Sequence, residues 1–177
     1  MPSNRITPFI RSRALIGAAM LVLAGVPAQA TDFGQRTPEV KELVDALKPP
    51  ERTRGIAIVG ASSATRTKAS MQVGFDFGSA TVIPRDVVKL DRLADALKSE
   101  SLREYRYQVV GHTDAVGPLA LNMKLSRDRA GAVVAYLMQQ GIPAERLTAD
   151  GKGPKELLDT QRPDAAENRR VEVRLVQ

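Results

Sequence analysis

The spacing of apolar residues switches repeatedly between residues 71 and 176, and that alternation restricts the chain to architectures that mix strands with helices. Met71, Val73, Phe75 and Phe77 recur at every second position, as in a strand with one buried face. Leu90, Leu93, Ala94 and Leu97 then share one stripe of a helix opened by Pro84. Tyr105, Tyr107 and Val109 alternate again. A second helix follows Gly117-Pro118, turns Ala130, Val133, Val134, Leu137 and Met138 to the core, and stops at Gly141, a natural residue just past a helix end. Residues 147–149 form a third short strand, and Val171, Val173 and Leu175 mark the last. The order β-α-β-α-β-β, with a variable insert at 155–167, predicts an α/β or α+β sandwich with its helices on one face of the sheet.

The first 30 residues read as a signal peptide. Arg5, Arg11 and Arg13 make a positive start without an acid, residues 14–26 are an unbroken run of thirteen apolar or glycine residues, and Ala28-Gln29-Ala30 fits a small-x-small cleavage site. Thirteen residues fall short of the roughly 20 needed to span a bilayer, so the mature chain is expected in the periplasm with no transmembrane span. Residues 31–70 read as a leader. Thr37 suits an N-cap and Pro38 the first helical position, and Val40, Leu43, Val44 and Leu47 make an amphipathic stripe before Pro49-Pro50. Such a short helix is marginal alone and must dock or flicker. A short strand is expected at 56–59 and a flexible linker at 60–70, which leaves 71–177 as the main domain.

Composition narrows the function. Of the 26 Lys and Arg, three belong to the signal peptide, which leaves 23 against 20 acids. The mature net charge of about +3 is an ordinary mixed surface, and no nucleic-acid partner is expected. An exported chain without cysteine has no disulfides and no lipid-bearing cysteine. One histidine and no cysteine cannot build the usual zinc sites, so neither metal nor cofactor is expected.

The informative chemistry lies at Gly-His-Thr-Asp-Ala-Val-Gly, residues 111–117, and on the helix behind it. Asp114 sits just past the C-terminal end of a strand, where the loops of open sheets gather ligands. Asn122, Ser126 and Arg129 fall at i, i+4 and i+7, one stripe of that helix. A carboxylate accepts bonds from an ammonium, and a guanidinium grips a carboxylate with two parallel bonds. An acid and an arginine flanking one groove can therefore hold a zwitterion. The plainer alternatives are that Asp114 caps its own turn and that Arg129 pairs with Asp114 or Asp128. No acid–base or nucleophile pair accompanies them, and no catalytic residue is assigned.

Gly-His-Thr-Asp, Asn122, Leu125-Ser126, Arg129-Ala130 and Asn168-Arg169-Arg170-Val171-Glu172 together resemble the OmpA-like peptidoglycan-binding domain family. The resemblance covers residues 71–176 and keeps the motifs in order. It implies a mixed four-stranded sheet whose last strand is antiparallel and central. It also implies noncovalent binding of meso-diaminopimelate in cell-wall stem peptides, at the wall or outer membrane. By motif position, Asp114 takes the family's ammonium-binding acid and Arg129 its carboxylate-binding arginine.

Around that pair, Thr113 and Asn122 either order the loop or touch the ligand. The loop at 75–79 forms one wall in the family. Asp76 and Ser79 are candidate contacts there, while Phe75 and Phe77 are expected in the core. Arg169 either approaches the ligand or is a charged strand entry that discourages edge pairing. Arg170 is expected in solvent, His112 as a packing or hydrogen-bonding residue, and Gly151-Lys152-Gly153-Pro154 as a turn rather than a phosphate loop. The competing function is a periplasmic interaction module that uses the leader helix to contact an outer-membrane or envelope protein.

Overall fold

The structure, a computed structural model, describes residues 31–49 and 67–176. The expected signal peptide, its cleavage site and the expected strand at 56–59 lie outside the described residues. Among the described residues five strands, β1 (Thr31–Asp32), β2 (Lys68–Met71), β3 (Arg106–His112), β4 (Leu147–Gly153) and β5 (Val171–Val176), form one mixed sheet in the order β1-β2-β5-β3-β4. The last strand is central and antiparallel to both β2 and β3, while β3 and β4 run parallel. Parallel neighbours need a long crossover, and helix α3 (Leu119–Gln139) supplies it. Helices α1 (Val40–Leu47) and α2 (Val87–Lys98) pack on each other, and α3 packs on β3 and β4. Among the described residues no helix is long and apolar enough to cross a membrane.

The sheet has one strand more than expected because the leader contributes β1, which pairs with β2 in parallel. Residues 68–70, expected in the linker, are rungs of β2 against β5, and Ala69 is wholly buried. The leader helix is also anchored. Its N-cap is Glu39 rather than Thr37, and Glu39 and Glu42 form a reciprocal capping box, with the Glu39 N–H donating to Glu42 at 2.9 Å. Leu43 and Leu47 are completely buried in one cluster with Leu90, Leu93 and Leu97. Each such leucine contributes about 1.5–3 kcal/mol relative to exposure. The apolar stripe of α1 therefore faces this chain's own core and is not presented to a partner.

The first expected strand ends early. Val73 is buried, but Phe75 only bridges Val82 and is partly buried, and Phe77 is fully exposed. The cause lies in the backbone bonds. The Gly74 N–H donates to the Asp86 carboxylate and the Asp76 N–H to the Thr81 carbonyl, so the chain doubles back instead of continuing a ladder. Two further positions differ at the margins of their elements. Tyr105 precedes β3 and Met138 lies on the outer side of α3, and both are exposed. The last helix stops as expected, with Gly141 at φ 92° just beyond it.

Arg170 corrects a larger expectation. Arg170, Glu172 and Arg174 alternate with Val171 and Val173 and so occupy the other face of the sheet, yet all three are buried. Arg170 and Arg174 each approach Glu172 at 2.6 Å, and Arg174 also reaches Glu156 at 2.6 Å. Burial works to raise the Glu172 pKa, but the bond from Arg174, the charge of His112 and the bond from Arg170 outweigh it and hold the carboxyl at about 2. Gly151-Lys152-Gly153, expected in a turn, belongs to β4, and Pro154 opens a short 3-10 segment, Pro154–Glu156.

Candidate ligand-binding site

Close approach of α3 to the sheet sets the geometry of the site. A Cβ on Gly111 would collide with the Ser126 carbonyl, and one on Gly151 with the Arg127 backbone nitrogen. These two bare backbones let the helix lie directly on β3 and β4. Ser126, wholly buried, then locks the contact: its hydroxyl accepts the Gly153 N–H at 2.9 Å and donates to the Met123 carbonyl. One turn earlier, the Asn122 amide donates to the Val116 carbonyl at 2.9 Å and ties the 112–118 loop to the helix. Asn122 therefore orders the loop. Thr113 is 2% exposed and donates its N–H to Gly153, also a position inside the fold.

Asp114 and Arg129 are brought to one region but not into contact. Asp114 accepts a 2.8 Å bond from Arg169 Nη1 and a 3.2 Å bond from the Val116 N–H, so its turn-capping and ion-pairing roles coexist. Arg129 donates from Nε to the Ser79 carbonyl at 3.1 Å, and its guanidinium lies 4.9 Å above the centre of the Phe75 ring. Neither Asp114 nor Asp128 pairs with it; Asp128 is taken by Lys124. Burial, then the neighbouring charge of Arg169, lowers the Arg129 pKa, and Asp114 opposes the shift. Arg129 remains a cation that is partly stripped of water and has no carboxylate partner among the described residues.

The remaining candidates divide. Ser79 reaches the site through its backbone, since its hydroxyl is engaged with Thr81 at 3.0 Å. Asp76 is exposed, and its backbone closes the turn beneath Arg129 through bonds with Thr81 and Ser79. Arg169 is half-exposed beside Asp114. His112 lies under the loop, with its Nε2 3.6 Å from Glu172, as a buried packing residue. Behind Arg169, the buried Asn168 amide accepts the N–H groups of Leu158 and Asp159 and donates to Arg162 and Pro163. The insert at 155–167 is thereby fastened beside the site.

A cavity of about 500 Å³ opens next to Arg129 and Arg169; Asp114 is not among its lining residues and reaches it only through Arg169. Sequence reasoning missed most of this lining. Gln35 and Thr37 come from the leader, Arg85 and Asp86 from the 3-10 turn just before α2, and Lys89 from its first turn. No periodicity signals such residues, because they share a wall only after α1 and α2 have packed.

Comparison with known proteins places this geometry. A model of the OmpA family matches residues 74–170, which hold Phe75, Asp114, Arg129 and Arg169. The chain is 38% identical over 104 residues to "Outer membrane protein A" of Bordetella avium, a match that covers 58% of this chain and 53% of that relative, so the chain spans about half the relative's length. Among solved structures, it resembles the peptidoglycan-associated lipoprotein of Burkholderia pseudomallei at a TM-score of 0.50 and 28% identity, over 60% of this chain and 89% of that one. It also resembles the cell wall anchor of the T6SS from Pseudomonas aeruginosa at a TM-score of 0.50 and 30% identity, over 62% and 80% of the two chains. With the family model matching more than half of its length, the chain belongs to the OmpA family.

Proposed function

We propose that this chain is a non-enzymatic wall-binding module of the periplasm, exported by cleavage after Ala30. It holds peptidoglycan noncovalently through meso-diaminopimelate and so anchors itself, or a partner, to the sacculus. The single observation that carries the reading is the state of Arg129. Its Nε is engaged by Ser79 and its face by Phe75, so the guanidinium is oriented while its terminal nitrogens have no carboxylate partner among the described residues. A ligand carboxylate completes that fork. The ligand ammonium goes to Asp114 in competition with Arg169. That exchange is cheap, because a pair with a half-exposed partner contributes only about 0.2–1 kcal/mol. The wall-related names of the two similar solved structures support the same reading.

Sedimentation with purified sacculi tests it. The wild type should pellet, whereas Asp114→Ala and Arg129→Ala should remain in the supernatant and Lys124→Ala should behave as wild type. For Arg129, which is partly stripped of water, loss of one partner of the charge pair costs on the order of 2–5 kcal/mol, roughly thirty-fold to several thousand-fold in affinity. Lysine-type walls lack the side-chain carboxylate and should bind the wild type weakly. No soluble fragments should appear on prolonged incubation. Equal pelleting of all variants, or equal binding of both wall types, would sink the assignment.

A further inference from the structure

The cavity beside Arg129 is larger and more cationic than one zwitterion requires. Its charged lining is Arg85, Lys89, Arg129 and Arg169 against the single acid Asp86. Asp86 and Lys89 satisfy each other at 3.1 Å, and their remaining bonds go to the Gly74 N–H and the Gln72 carbonyl. Arg169 is held by Asp114. Arg85 is different: it is exposed and makes no hydrogen bond or ion pair among the described residues.

The lining also includes Gln35 and Thr37, on a leader turn whose backbone is built into place. The Phe33 N–H donates to Ser70, the Gln72 N–H to the Gly34 carbonyl at 2.8 Å, and Phe33 is buried. Arg36 lies over the Phe33 ring and grips Glu42 with two bonds of 2.7 and 2.9 Å. The leader turn is thus a fixed wall that offers an amide and a hydroxyl to whatever enters.

We propose that the leader-walled part of this cavity is a second anion subsite, with Arg85 as its cation and Gln35 and Thr37 as its polar wall, and that it takes a further carboxylate of the bound stem peptide. The inference rests on the assignment of Arg129 and Asp114 to diaminopimelate. Two carboxylates of a stem tripeptide lie within reach of a neighbouring subsite: the free carboxylate of the γ-linked glutamate that precedes diaminopimelate, and the C-terminal carboxylate. Both present the same chemistry to a guanidinium.

The test titrates the full exported chain and its variants with synthetic L-Ala-γ-D-Glu-meso-diaminopimelate, free or amidated at one of those two carboxylates. Arg85→Gln should bind the free tripeptide about three- to five-fold more weakly, the upper part of the range of an exposed ion pair, with Arg85→Lys between it and wild type. Amidating the correct carboxylate should weaken wild type by the same factor and erase the difference between wild type and Arg85→Gln, which identifies the source. If Arg85→Gln binds like wild type while Asp114→Ala and Arg129→Ala fail, the subsite is wrong and the wall-binding reading stands. If those two variants also bind like wild type, or wild type does not bind, both readings fall. Arg85 is exposed, so its substitution should leave the thermal midpoint in place.

Discussion

Asp114 accepts its 2.8 Å bond from Arg169, 55 residues further along the chain, while Arg129 engages a backbone carbonyl instead. Asp114 is thus held by an internal cation, which on the proposed reading a ligand ammonium must displace. Arg169→Gln removes that competitor. Affinity for a diaminopimelate muropeptide should hold or rise, by up to about five-fold, and stability should fall by less than about 1 kcal/mol because the pair is half-exposed. Calorimetric titration distinguishes this from a clamp role for Arg169, which would show as a loss above ten-fold.

Leu43 gives a direct measure of how firmly the leader belongs to the fold. It is completely buried, and truncation leaves a cavity against α2 and β2. Leu43→Ala should cost about 2–5 kcal/mol in urea unfolding. A cost within about 0.5 kcal/mol, the usual range of a surface substitution, would make α1 a loosely attached tether.

The order of strands and helices was legible because each element from Pro84 onward buries one face, and burial leaves a period in the sequence. Leu90, Leu93, Ala94, Leu97, Val133 and Leu137 are all in the core where their stripes put them. Phe77 was misread because alternation persists through a turn whose backbone bonds, not its side chains, stop the ladder. Arg170 was misread because a charged residue out of phase with the core normally faces water. Here the sheet has a second buried face, and Glu172 lies between two arginines. At the site, the motif residues Asp114 and Arg129 were visible in the chain and Ser79 and Arg169 stood among the candidate contacts, but which of them holds which was not. Arg169 and the Ser79 carbonyl reach them across 55 and 50 residues, a relation that no local pattern carries.

Gly111 tests whether the helix–sheet approach sets the site. Gly111→Ala drives a methyl into the Ser126 carbonyl, a backbone atom that cannot rotate away. Overpacking of this kind should cost about 1–3 kcal/mol and should displace α3, and Arg129 with it, so ligand affinity falls although Gly111 touches no ligand. Gly131, in the same helix, has open space where a methyl would stand. Gly131→Ala should therefore raise stability by about 0.5–1 kcal/mol and leave affinity alone. Comparable losses in both variants would remove the steric explanation.

The buried charges of the sheet predict a two-stage response to acid. His112 faces Glu172, Arg170, Arg174 and Glu156, and its side chain is wholly shielded from water. Burial, reinforced by Arg170, pushes its pKa from 6.5 to about 4. Between those two values the unfolded chain binds a proton at this position and the folded chain does not, so stability falls as pH drops from 6.5 towards 4. A gap of that size corresponds to at most about 3 kcal/mol. Glu172 titrates in the next window. Its folded pKa of about 2 lies below the ordinary 4.5, so its contribution is present above pH 4.5 and is lost as pH falls from there towards 2. Urea midpoints measured at pH 7.5, 6 and 5 should decline for the wild type and stay nearly level for His112→Gln. Below pH 4.5 both proteins should lose stability, because the Glu172 pairs with Arg170 and Arg174 are common to both, but His112→Gln should lose less, since it lacks the His112 charge that also lowers Glu172. An undiminished slope between pH 7.5 and 5 in His112→Gln would assign the first stage to some other group.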